Sequence, residues 1–121
     1  GRTLITLPAP NLFASGCATL NAAHQPLVQR IAAAIDRVPG RVLVIGHTDD
    51  QPLRSFRYRD NFELSRERAS SVVKILQAAL QDPGRVELTG AGSASPRYTP
   101  ASDAENRARN RRVEIVHVRG S

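Results

Sequence analysis

The amino-acid sequence predicts an α+β domain, a β/α/β/α/β-β sandwich in which two main helices pack on one face of a mixed four-stranded sheet. Three observations predict it. Residues 21–38 and 60–80 carry apolar side chains at helical period. Short runs rich in β-branched residues lie before, between and after these stretches. Pro39-Gly40 and Pro83-Gly84 close the two helical patterns. The order is β, α, β, α, β, β, with no internal repeat and no dividing linker, so residues 1–121 are expected to form one domain.

Residues 3–7 alternate polar and apolar, with Leu4, Ile5 and Leu7, and stop at Pro8-Ala9-Pro10, which cannot continue a ladder. In the first helix Leu27, Val28, Ile31, Ala34, Ile35 and Val38 make the apolar stripe. Asn21 is its expected N-cap, and Pro26 lies near enough to the start for its missing N–H to be tolerated. Val42, Leu43, Val44 and Ile45 form an unbroken apolar run, expected as a central strand covered on both faces. Residues 51–60, with Pro52, three arginines and two aromatics, have no sustained period and read as a loop. Asp60 followed by Glu63 is a variant of the capping box. The second helix it opens carries Ala69, Val72, Val73, Leu76 and Leu80 on one stripe. Val86 and Leu88 alternate with charged and polar neighbours as a half-buried strand, and the small-residue stretch 90–96 breaks it. Residues 103–109 suit a short helix or turn, and residues 112–118, with Val113 and Ile115, the last strand.

The 40% apolar and 23% charged fractions are those of an ordinary globular chain. No run reaches membrane-spanning length, and the first residues lack the pattern of a signal peptide, so any targeting or anchoring segment of a parent protein is expected outside these residues. A net charge of +6, from 17 basic against 11 acidic residues, favours an anionic partner such as nucleic acid, phospholipid or a carboxylate-bearing polymer. Nucleic acid is disfavoured, because there is no Trp, aromatics are few and the arginines are scattered over several elements. Cys17 is the sole cysteine, so no intramolecular disulfide can form. Ala14-Ser15-Gly16-Cys17 has a faint likeness to a lipobox, but Pro8, Pro10 and Asn11 stand where an apolar signal core should be, and Cys17 reads as a half-buried loop thiol.

Three clusters remain once core positions are removed: residues 46–49 after the central strand, residues 61–68 entering the second helix, and Asn110-Arg111-Arg112 before the last strand. Taken singly, Asp49 reads as a turn cap and Arg68 as a snorkelling side chain at the edge of the core. Together they suggest a receptor for a zwitterion beyond the carboxyl end of a strand. The arginine would grip a carboxylate with two parallel hydrogen bonds, the aspartate would receive an ammonium, and nearby backbone N–H groups would hold a second carboxylate oxygen. A metal site built from His47, Asp49 and Asp50 lacks a further ligand, since His24 and His117 lie on other elements. No nucleophile has a neighbouring base. The expectation is therefore a binding domain, with no catalytic residue, no metal and no cofactor.

Gly46-His47-Thr48-Asp49, then Asn61-Phe62-Glu63-Leu64-Ser65-Arg66-Glu67-Arg68-Ala69, then Gly90-Ala91-Gly92 and Asn110-Arg111-Arg112-Val113-Glu114-Ile115 occur in one order over residues 4–118. In these blocks the chain resembles the OmpA-like peptidoglycan-binding domain, and residues 12–16 resemble that family's segment between first strand and first helix. The resemblance implies non-covalent binding of peptidoglycan, with the meso-diaminopimelate zwitterion of the peptide stem held by Asp49 and Arg68. It implies that Thr48, Asn61 and Leu64 line the pocket and that Arg111 lies close to the ligand, while Asn110 and Arg112 serve the fold. The family's pattern is departed from at Ala101, Asp103 and Asn106, so the loop before the last strand is expected to differ.

The nineteen-residue spacing of Asp49 and Arg68, with Pro52 and an arginine-rich loop between, resembles the type VI secretion (TssL-like) branch first and the flagellar stator (MotB-like) branch second. Either branch implies the periplasmic domain of an inner-membrane protein that fastens an envelope machine to the cell wall, with other subunits of that complex as partners. A homodimer is left open, as is a fold kept only for dimerisation or docking without ligand binding.

Overall fold

The computed structural model describes residues 1–14, 17–51, 53 and 57–119. Ser15, Gly16, Pro52, Arg54 and Phe56, which the sequence places in the lipobox-like stretch and in the 51–60 loop, lie outside the described residues. Strand β1 (Arg2–Pro8) is followed by a single helical turn, α1 (Ala9–Leu12), a 3-10 turn over Ala22–His24 and helix α2 (Gln25–Asp36). Then come β2 (Gly40–His47), α3 (Asn61–Ala79), a 3-10 turn over Pro83–Arg85, β3 (Val86–Gly92), α4 (Ala104–Asn110) and β4 (Arg112–Arg119). The sheet order is β1-β4-β2-β3. Strand β4 runs antiparallel to both its neighbours, and β2 pairs with β3 in parallel. A parallel pair needs a crossover, and α3 supplies it. The expected α+β architecture, with helices on one face of a mixed four-stranded sheet, is the one observed.

The core lies between that face and the two long helices. Val42 and Val44 of β2 and Val113 and Ile115 of β4 point into it with no exposed area, in register across the sheet as Val44 with Ile115 and Gly46 with Val113. Helix α3 brings Ala69, Val72, Val73 and Leu76, the predicted stripe, and Leu80 follows at its C-cap. Each valine or leucine buried this completely contributes about 1.5–3 kcal/mol. Asp60 caps α3 as its sequence requires, accepting a hydrogen bond from the Glu63 amide at 2.9 Å.

Three details of α2 and β2 differ from expectation. Helix α2 buries Val28, Ala32 and Ile35, at i, i+4 and i+7, whereas Leu27 is 42% exposed, Ala34 is exposed and Val38 is 37% exposed. Val38 lies beyond the helix end at Asp36, where helical period no longer governs direction, and Leu27 is turned about 100° from the buried Val28. Asn21 does not cap through its side chain: its amide donates to the Asn11 carbonyl at 3.2 Å, and α2 begins only after the 3-10 turn, with Pro26 within its first two positions. Leu43 and Ile45 of β2 are half-buried, because both helices cover the opposite face.

Helix α3 lies directly on the carboxyl ends of β2 and β3. A Cβ on Gly46 would collide with the Ser65 carbonyl oxygen, and one on Gly90 would lie 2.7 Å from the Phe62 carbonyl oxygen. The Ser65 hydroxyl donates to the Phe62 carbonyl at 2.9 Å and accepts from the Gly92 amide at 3.0 Å, tying strand end to helix. The glycines of the Gly46 and Gly90-Ala91-Gly92 blocks thus set how closely the start of α3 approaches the segment after β2.

Candidate ligand-binding site at the carboxyl ends of β2 and β3

Beyond β2 the chain leaves the sheet through an irregularity in register at Gly46 and His47. The Thr48 amide donates to the Gly92 carbonyl at 2.8 Å, and the Thr48 hydroxyl donates to the Asp49 carbonyl at 3.1 Å. Asp49 is buried, and its two carboxylate oxygens have different partners. Oδ1 accepts from the Gln51 amide at 3.0 Å, closing the turn, while Oδ2 accepts from Arg111 Nη1 at 2.7 Å. The turn-capping role and the charged role of Asp49 therefore coexist.

Asn61, Leu64 and Arg68 stand at i, i+3 and i+7 on one side of α3. The Asn61 amide donates to the Gln51 carbonyl at 2.8 Å, joining the helix entry to the segment after Asp49. Leu64 is buried. Arg68 is only 6% exposed, so it is a buried side chain and not a snorkelling one. Its Nε donates to the Cys17 carbonyl at 2.8 Å and its Nη2 to the Ala14 carbonyl at 3.3 Å, and the guanidinium sits 5.2 Å from the Phe13 ring centroid. Burial first, and then the positive charge of Arg111, lower its pKa, against the pull of Cys17, Tyr58 and Asp49. Arg68 thus feels the charges of both Arg111 and Asp49. The direct ion pair is Asp49 with Arg111, and Arg68 is the second cation of the cluster.

His47 and the remaining members of the same sequence blocks go elsewhere. Successive strand residues point to opposite faces, and His47 faces away from the helices with Arg112, its partner in register. Its Nε2 lies 2.9 Å from Glu114 Oε1, and Glu114 Oε2 accepts from Arg112 Nε at 3.0 Å. Arg112 also donates to the carbonyls of Asn110 and Ser95, and Arg97 reaches Glu114 Oε2 at 3.6 Å. Asn110 accepts from the amides of Arg97 and Tyr98 and donates to the Tyr98 carbonyl, holding the loop over the sheet end. Burial, followed by the charge of Arg112, lowers the His47 pKa, with Glu114 opposing. Burial alone would raise the Glu114 pKa, but the Arg112 hydrogen bond and charge, helped by His47, bring it below its ordinary value.

A metal reading of His47, Asp49 and Asp50 is not supported by this arrangement. The three diverge onto Glu114, Arg111 and Arg107, and among the described residues no group of three or more His, Cys, Asp or Glu could hold an ion. The buried Glu114 network was not singled out from sequence. Its signal was present in the i, i+2 spacing of Arg112 and Glu114, which places both on one face of a strand.

A protein-family model described as the OmpA family matches residues 12–111. The chain belongs to the OmpA family. Motility protein B of Helicobacter pylori (strain J99) is 36% identical over 118 residues, an alignment covering 93% of this chain and 45% of the relative, so the chain spans less than half the length of that protein. Among solved structures, the cell wall anchor of the T6SS from Pseudomonas aeruginosa superimposes with a TM-score of 0.91 at 42% identity, covering 98% of this chain and 82% of that one. The periplasmic domain of Helicobacter pylori MotB superimposes with a TM-score of 0.86 at 31% identity, covering 98% and 76%. The OmpA family match includes three of the four sequence blocks whole and the opening Asn110-Arg111 of the fourth.

Proposed function

We propose that this domain binds peptidoglycan non-covalently through the diaminopimelate of the peptide stem and so fastens an envelope machine, of the type VI secretion kind, to the cell wall. The observation that carries the reading is the buried Asp49 carboxylate beside two guanidiniums, Arg111 in direct contact and Arg68 close enough to be felt electrostatically. A carboxylate offers about four lone-pair sites, and Asp49 uses two of them on Gln51 and Arg111, which leaves acceptor capacity for a ligand ammonium. The two arginines supply charge-assisted donors for the ligand carboxylate. In this reading Thr48, Asn61 and Leu64 line the same pocket: the Thr48 hydroxyl and the Asn61 amide tie down the backbone of Asp49 and Gln51, and Leu64 is a buried residue one turn along α3 from Asn61.

The likeness to a T6SS cell wall anchor supports the secretion branch, and the periplasmic placement of the MotB domain supports a periplasmic location in an inner-membrane parent. A flagellar stator anchor is the second reading, favoured by the motility protein B relative. Both need the same ligand site, whereas a docking module without ligand does not. Sedimentation with insoluble diaminopimelate-type peptidoglycan tests this. The wild type is expected in the pellet, and Asp49→Ala and Arg68→Ala are expected to lose about 2–5 kcal/mol of binding. Equal sedimentation of all three would overturn the site and favour the docking module.

A further inference from the structure

We propose that the groove between the first turns of α3 and the end of β3 is a second contact with the same polymer, taking a sugar ring of the glycan strand stacked on Phe62. This rests on the peptidoglycan reading above and extends it from the peptide to the glycan. Phe62 is 52% exposed although it is a large apolar residue in the first turn of a helix whose neighbours Leu64 and Ser65 are buried. Its ring is nevertheless held in place. A Cβ built on Gly92 would lie 3.1 to 3.2 Å from three ring atoms, so the ring rests against the Gly92 backbone. An exposed aromatic backed on one side by main chain, with only two χ angles to order, offers contact area at small cost in side-chain entropy.

The groove in front of it measures about 370 Å³ and is bounded by Arg59, Glu63, Arg66 and Thr89 as well as Phe62. That size falls in the range of small-molecule sites, roughly 300–1,000 Å³. Its charge is balanced: Arg59 and Arg66 are opposed by Asp60 and Glu63, and Arg59 is already paired with Glu63 at 3.0 Å. A phosphate or nucleic-acid ligand calls for an excess of cations, which this rim does not offer. A neutral polyhydroxyl ring with one apolar C–H face suits an aromatic plate ringed by planar guanidinium and carboxylate groups and a threonine hydroxyl. Phe62 and Arg66 stand at i and i+4, turned about 100° and about 140° around α3 from Asn61, the residue that opens the diaminopimelate side. One helix end thus presents neighbouring faces to the peptide stem and to the glycan that bears it.

Calorimetric titration with two soluble ligands tests this: the diaminopimelate-containing stem peptide alone, and the same peptide on its N-acetylglucosaminyl-N-acetylmuramyl disaccharide. The wild type is expected to bind the disaccharide-peptide about tenfold more tightly than the peptide. Phe62→Ala and Phe62→Leu are expected to erase that preference and leave peptide affinity unchanged; the leucine variant keeps an apolar contact on Gly92 without a flat ring. Equal affinity of the wild type for both ligands, or an undiminished preference in both variants, would overturn the glycan contact while leaving peptide binding intact. Binding of neither ligand by the wild type would overturn both readings.

Discussion

Arg111 Nη1 donates to Asp49 Oδ2 at 2.7 Å, across 62 residues of sequence, and this contact takes one acceptor site of the carboxylate that the sequence places with Arg68 around a single zwitterionic ligand. Arg68 instead uses Nε and Nη2 on the carbonyls of Cys17 and Ala14, so it also pins the segment between α1 and α2. A cluster of one anion and two cations carries an uncompensated positive charge, and a ligand carboxylate would relieve the repulsion between Arg68 and Arg111.

Removing the contact should therefore affect binding more than stability. The Arg111 side chain is more than a third exposed, and exposed ion pairs contribute about 0–1 kcal/mol. Urea denaturation of Arg111→Ala is expected to shift by no more than that, while affinity for the stem peptide falls more than tenfold. A double-mutant cycle with Asp49→Ala is expected to show coupling in binding, as for contacting residues that act on one ligand. Additive losses would separate Arg111 from the site.

Acid should weaken the fold in two steps. The folded-state pKa of His47 is lowered from 6.5, so between that value and its folded pKa the unfolded chain binds more protons and stability falls as pH drops. The Glu114 pKa is lowered from 4.5, and its stabilisation is present above that value and lost as pH falls through the folded pKa. Thermal unfolding from pH 8 to pH 3 is expected to show a decline beginning near pH 6.5 and a steeper one below pH 4.5. His47→Gln should remove the first and keep the second, and a variant with an unchanged profile would show that His47 is not the titrating group.

The close approach of α3 to the sheet predicts a sharp contrast among glycines. Gly46→Ala meets the Ser65 carbonyl, part of a helix backbone that cannot swing aside, and is expected to destabilise by about 1–3 kcal/mol and to displace the Asn61 side of the site. At Gly84, in the exposed turn after α3, the nearest atom to an added Cβ is 3.4 Å away, and Gly84→Ala is expected to stay within about 0.5 kcal/mol of the wild type. Chemical denaturation of the two variants checks this directly.

The sequence by itself determined what depends on neighbours along the chain. The Asp60 cap, the α3 stripe from Ala69 to Leu76, the breaks at Pro39-Gly40 and Pro83-Gly84 and the alternation of β3 are local properties of side-chain direction and backbone freedom. The same local reasoning missed the end of α2 and so misplaced Val38, because helical period says nothing past the last helical residue. Which arginine meets Asp49 was decided only in three dimensions. Strand β4 aligns Arg112 with His47, so the preceding residue, Arg111, comes beside Asp49 just after β2, while the period of two turns Arg112 and His47 to the far face with Glu114. That register is set by Val113 and Ile115 entering the core opposite Gly46 and Val44, a packing choice between strands about seventy residues apart that no local pattern encodes.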